Sequence, residues 1–121
     1  MSWVKSALPE SMRNNRNMRR WEELRKKVQR LNEILFASQS SANAMLKDVL
    51  EEPLVQANED LKQRLLYLLS GENNQKVILD SPHKAKEILD NALLYIDGRI
   101  NGLRIEIQKQ EMKKDDFLAR I

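Results

Sequence analysis

The sequence predicts an all-α protein: an antiparallel bundle of three long amphipathic helices, or four if one breaks, with coiled-coil-like seams. Three observations carry this expectation. Apolar residues recur at alternating spacings of three and four over long stretches, the period that lines one face of a helix. Only three glycines and three prolines interrupt 121 residues, which favours long elements over short strands joined by tight turns. The composition is 41% hydrophobic and 32% charged, that of a folding chain with a charged exterior rather than a disordered one. A chain of this length can bury a core without disulfides or metals. Residues 1–10 are expected to form an N-terminal arm, and 11–121 a single helical-bundle domain.

The first strong segment opens near Glu10. From Trp21 its seam reads Trp21, Leu24, Val28, Leu31 and Leu35, and the register continues through Ser38, Ala42, Met45 and Val49. Ile34, Phe36, Leu46 and Leu50 widen the stripe, as suits a bundle helix. Glu22 with Lys26 and Glu23 with Lys27 stand four apart, acid first, the better orientation for a helical pair. Two ends compete for this helix. Ser38-Gln39-Ser40-Ser41 favours a cap or turn, whereas Pro53 lacks the helical N–H and biases Glu52 away from helix.

A second helix is expected from Leu54 to Leu69, burying Leu54, Ala57, Leu61, Leu65 and Leu68. Gly71 is placed to cap its C-terminus. Val77-Ile78-Leu79 is a short apolar run inside the connector, expected to pack down on the bundle, with an extended form open to it. Asp80-Ser81-Pro82 then starts the last helix, because proline fits the first helical position. That helix carries Leu89, Leu93, Ile96, Ile100, Leu103 and Ile107 at spacings of 4, 3, 4, 3 and 4. Asp97-Gly98 and Asn101-Gly102 are turn-type dipeptides, and Leu103 to Ile107 alternates like a strand. Helix is the preferred reading; the competing one breaks it near Gly98–Gly102.

Little in the chain points to chemistry, and no catalytic, cofactor-binding or metal-binding residue is assigned. The absence of cysteine removes thiolate metal sites and thiol nucleophiles. His83, the single histidine, lies in the first turn of the last helix and reads as a surface group. The acidic pairs Glu22-Glu23, Glu51-Glu52, Glu59-Asp60 and Asp115-Asp116 are sequence neighbours, which point about 100° apart on a helix and do not share a metal. No apolar run approaches the length of a membrane span. The apolar stretch of residues 1–9, with Trp3, Val4, Ala7 and Leu8, is too short for a signal-peptide core. A cytoplasmic protein without a small-molecule substrate is the expectation.

The charge is uneven. Residues 1–30 carry a net +6, residues 31–80 a net −4 and residues 81–121 a net +1. Such asymmetry steers an acidic partner to one end, or brings the basic end of one copy to the acidic middle of another. The segment from Met12 to Arg20 holds Arg13, Arg16, Arg19 and Arg20, three asparagines and no acid; Lys26, Lys27 and Arg30 extend it. Arginine forks suit phosphates. The leading expectation is a non-enzymatic interaction module that associates through its seams with a second copy or a helical partner. The last helix would reach about 57 Å at 1.5 Å per residue, more than the middle helix covers. The alternative is nucleic-acid binding through the seven basic residues named above.

Overall fold

The computed structural model describes residues 10–71 and 76–119, with side chains for 13–71 and 76–112. Of the described residues 90% are helical, and no strand occurs among them. Six helices are found there: α1 Glu10–Ile34, α2 Gln39–Leu50, α3 Pro53–Ala57, α4 Glu59–Ser70, α5 Val77–Asp80 and α6 Pro82–Ala119. The expected count was three or four. The excess comes from α3 and α5, of five and four residues, which are too short to show a period in sequence.

The competition between the two ends of α1 resolves at the serines. The chain turns after Ile34, whose carbonyl accepts from the Ala37 and Ser38 N–H groups at 3.0 and 2.8 Å. Ser38 takes an extended backbone, and its hydroxyl accepts from the Ser41 N–H at 3.3 Å. One orphan donor of α2 is thereby satisfied. Of the continued register Ala42 and Val49 are buried and Met45 is half-buried, beside buried Leu46 and Leu50. Folding α2 back on α1 buries the same side chains without one long rod. Pro53, the rival, opens α3 at its first position.

The single helix expected over 54–69 is corrected to two. Asn58 lies between α3 and α4 with φ −115° and ψ 96°, and its Nδ2 donates to the Leu54 carbonyl at 2.7 Å. The amide thus caps a carbonyl that the break would orphan. In consequence Ala57, expected to be buried, is exposed, while Leu61, Leu65 and Leu68 are fully buried. Gly71 ends α4 at φ 54°, with its N–H on the Tyr67 carbonyl at 2.8 Å, as its position suggested. The Val77-Ile78-Leu79 run is helical, and Val77 and Ile78 are in the core. The last helix passes through Gly98 and Gly102 without a break. Residues 1–9, with Trp3, Val4, Ala7 and Leu8, and residues 120–121 lie outside the described residues.

α1 and α6 run in opposite directions side by side. Phe36 meets His83, Asn32 meets Asp90, Arg25 meets Asp97, and Trp21 meets Tyr95. α4 also opposes α6, from Asn58 beside Tyr95 to Tyr67 beside Lys84. At 38 and 25 residues, α6 and α1 span about 57 and 37 Å; α2 and α4, at 12 residues each, span about 18 Å. The shorter helices therefore cover only part of the long pair. Beside α6 the start of α4 reaches Tyr95, and beside α1 the short α3 reaches the side chain of Arg16. Below that level lies a head with one continuous apolar cluster; above it α1 and α6 continue as a two-helix stalk. The cluster fades at Ile100 and half-buried Leu103. In the stalk Ile107 is buried, but Ile105 is 51% and Met112 70% exposed.

Candidate interaction site

The seam residues assigned to helix packing or oligomerisation pack within the chain itself. Trp21, Leu24, Val28, Leu31 and Leu35 are buried on α1, and Leu89, Leu93, Ile96, Ile100 and Ile107 on α6; Leu103 is half-buried.

The basic residues lie mostly on one face of α1. Arg16, Glu23 and Lys27 repeat at seven and four, with Arg20 and Leu24 on adjoining rows, so helical geometry gathers them along one flank. Against that flank stands α3. Its start is set by Glu52, whose extended backbone (φ −61°, ψ 133°) precedes Pro53 at the first helical position. Gln56 holds the turn by donating from Nε2 to the Leu50 carbonyl at 2.5 Å. An ion pair between Lys27 and Glu52 joins α1 to the beginning of α3.

A hollow of about 440 Å³ lies on one side of that ion pair, and another of about 710 Å³ on the other. The larger has an apolar floor of Leu24, Leu54, Pro53 and Ala57 beneath Arg16, Arg19 and Arg20. All three arginines are exposed, and none forms an ion pair with a described residue. Glu23, on the same rim, meets Lys26 of its own helix at 3.5 Å. The smaller hollow is lined by Met45 and Val49 with Asp48 and Glu51. These two acids are exposed and likewise unpaired among the described residues. Lys27, Glu52 and Pro53 line both hollows.

Of the remaining predicted basic residues, Arg13 and Arg30 continue the same helical flank beyond the ends of the hollow. Arg13 is exposed on the stalk, beyond the larger hollow, and Arg30 is exposed on the head. Among the described residues Lys26 engages Glu23 alone. The structure thus brings together Arg16, Arg19, Arg20 and Lys27, and leaves Arg13, Lys26 and Arg30 outside the hollow. Sequence reading missed the opposite wall, Pro53 to Ala57, and the individual acids Asp48 and Glu51. The only signal for them was the negative balance of the middle segment.

Elsewhere the polar groups serve helix pairing. Arg25 Nε donates to Asp97 Oδ1 at 2.5 Å, and that hydrogen bond, with the attraction of the carboxylate, raises the guanidinium pKa. Asn32 donates to Asp90 at 2.8 Å, and Lys86 reaches the same carboxylate at 3.1 Å. The Asn32 bond first, and Lys86 second, lower the Asp90 pKa. His83 is exposed, its ring 5.1 Å from that of Phe36. Among the described residues no group of three or more acids and histidines is placed to hold a metal ion. No helix among them is long and apolar enough to cross a membrane. No family model, curated protein or solved structure matches this chain, so its own geometry carries the functional argument.

Proposed function

We propose that this chain is a non-enzymatic interaction module that works through helix–helix contacts and associates with a second copy of itself. The four longer helices, α1, α2, α4 and α6, act as the bundle scaffold of a single domain over 11–121, and α3 serves as a wall for the contact. One observation carries the reading: an apolar floor between α1 and α3 lies under three arginines that no acid of the described chain engages. Half-buried Leu54 and exposed Ala57 offer nothing to a phosphate backbone but suit apolar side chains of a second copy. Arginine on the rim suits carboxylates as a bidentate donor.

Sedimentation equilibrium of the full chain over a wide concentration range tests the reading. Reversible self-association, weakened by salt, is expected. A monomer at every concentration and at low salt refutes it.

A second reading, nucleic-acid binding, is favoured by a separate observation. Arg13, Arg16 and Arg20 repeat at three and four along exposed α1, and the stalk segments 13–20 and 99–112 together carry seven basic and two acidic residues. Binding to a generic duplex and to single-stranded RNA should then fall steeply with salt, as counterion release requires. No binding at low salt removes this alternative.

A further inference from the structure

The two hollows at the α1–α3 flank make one continuous face with opposite charge at its ends. Arg16, Arg19 and Arg20 occupy one end, and Asp48 and Glu51 the other. The divide between them is the shared wall of Lys27, Glu52 and Pro53. Glu23 tempers the basic end, although Lys26 engages it from the same helix. Each end has its own apolar floor: Leu24 and Leu54 in one, Met45 and Val49 in the other.

A half-turn about an axis through the divide lays the basic end of one copy over the acidic end of another, and does so twice. Such a contact is isologous and closes at two subunits. We propose that this chain forms a two-fold homodimer through the α1–α3 face, with Arg16, Arg19 and Arg20 of each copy against Asp48 and Glu51 of the other. The inference rests on the self-association reading above and adds the surface and the symmetry. Charge complementarity selects the occupant. A foreign acidic segment would use only the basic end and leave the adjoining acids idle; a second copy uses both. Half-buried Leu54 and Met45 flank these pairs, and shielding from water strengthens an arginine–carboxylate contact.

Charge reversal tests this with the full chain. One variant carries Arg16→Glu, Arg19→Glu and Arg20→Glu; the other carries Asp48→Lys and Glu51→Lys. All five positions are exposed, and circular dichroism with thermal melting checks that each variant keeps its helices. Each variant alone should dimerise at least about ten-fold more weakly than the unmodified chain, because like charges then face each other. An equimolar mixture should recover a heterodimer of near-original affinity, seen by sedimentation velocity and by mass in native mass spectrometry. If a reversed variant fails to fold, the neutral set Arg16→Gln, Arg19→Gln and Arg20→Gln replaces it and should weaken dimerisation in the same direction.

Variants that dimerise like the original chain overturn the proposed face while leaving self-association standing. A mixture that stays monomeric overturns the pairing. An unmodified chain that is monomeric, yet binds an acidic helical peptide or a duplex, overturns both this proposal and the self-association reading.

Discussion

Head and stalk are built from the same two helices, yet those helices meet different surroundings. In the head, α1 and α6 share their apolar faces with α2, α4 and α5, and Val28, Leu31, Leu35, Leu89 and Ile96 are completely buried. In the stalk, beyond the reach of α3, they face each other alone among the described residues. Asn17 continues the α1 seam there but is exposed. A hollow of about 430 Å³ between Asn17, Trp21, Gly98 and Gly102 opens where the shorter helices stop. The difference teaches that helical periodicity alone does not make a core. A two-helix layer covers one flank of each stripe, whereas a multi-helix layer covers both and excludes water around the whole side chain.

Truncations should break this comparison most sharply. Leu65→Ala empties a fully buried site at the centre of the head and should cost about 3 kcal/mol, transfer and cavity effects together. Ile105→Ala in the stalk removes a side chain that is 51% exposed and should cost about 0.5 kcal/mol. Urea denaturation of the two variants measures both. Comparable losses would show that the stalk is as tightly packed as the head.

Glycine replacement sharpens the contrast from the other direction. A Cβ built on Gly98 or Gly102 meets nothing within 4 Å, and neither has the positive φ found at Gly71. Gly98→Ala and Gly102→Ala should each stabilise the chain by about 0.8–1 kcal/mol through helix propensity. The melting temperature reports this. Unchanged dimerisation is expected alongside, because the proposed contact lies on the α3 flank; a weakened dimer would move the contact to the glycine face.

The smallest effect concerns acid. Asp90 accepts from Asn32 and Lys86, so its folded-state pKa lies below its ordinary value. The unfolded chain then takes up that proton first as pH falls. The stabilisation is present above about pH 4, the ordinary aspartate value, and is lost as pH drops through the depressed one. Lys86 and Asp90 are each 48% exposed at the side chain, so the contribution is below about 1 kcal/mol. Melting from pH 6 to pH 2 should show a shallower acid loss for Asp90→Asn than for the original chain. Matching acid limbs would place the acid sensitivity elsewhere.

Several features of the site are legible in the sequence alone. Arg16, Arg20 and Lys27 were visible as a basic run on an amphipathic helix, and helical spacing alone puts them on one flank. Their counterpart was not readable. Asp48 lies on α2 and Glu51 caps its C-terminal end, and only the turn at Ser38 and the restart at Pro53 carry them to the neighbourhood of Lys27. The break at Asn58 was equally hidden, because the leucine spacing runs on through it and an asparagine amide can cap a carbonyl in many settings.

By itself the sequence determined the all-α class, the buried stripes, the cap at Gly71 and the start of α6 at Pro82. These depend on local rules: the period of the helix, the freedom of glycine at positive φ, and the missing proline N–H. The tertiary structure alone decided that the α1 stripe folds back at Ser38, that Gly98 and Gly102 remain in one helix, and that basic and acidic ends adjoin on one face. Those outcomes turn on which distant surfaces cover one another. Burial is set by the whole packed assembly of helices, and no short stretch of residues contains it.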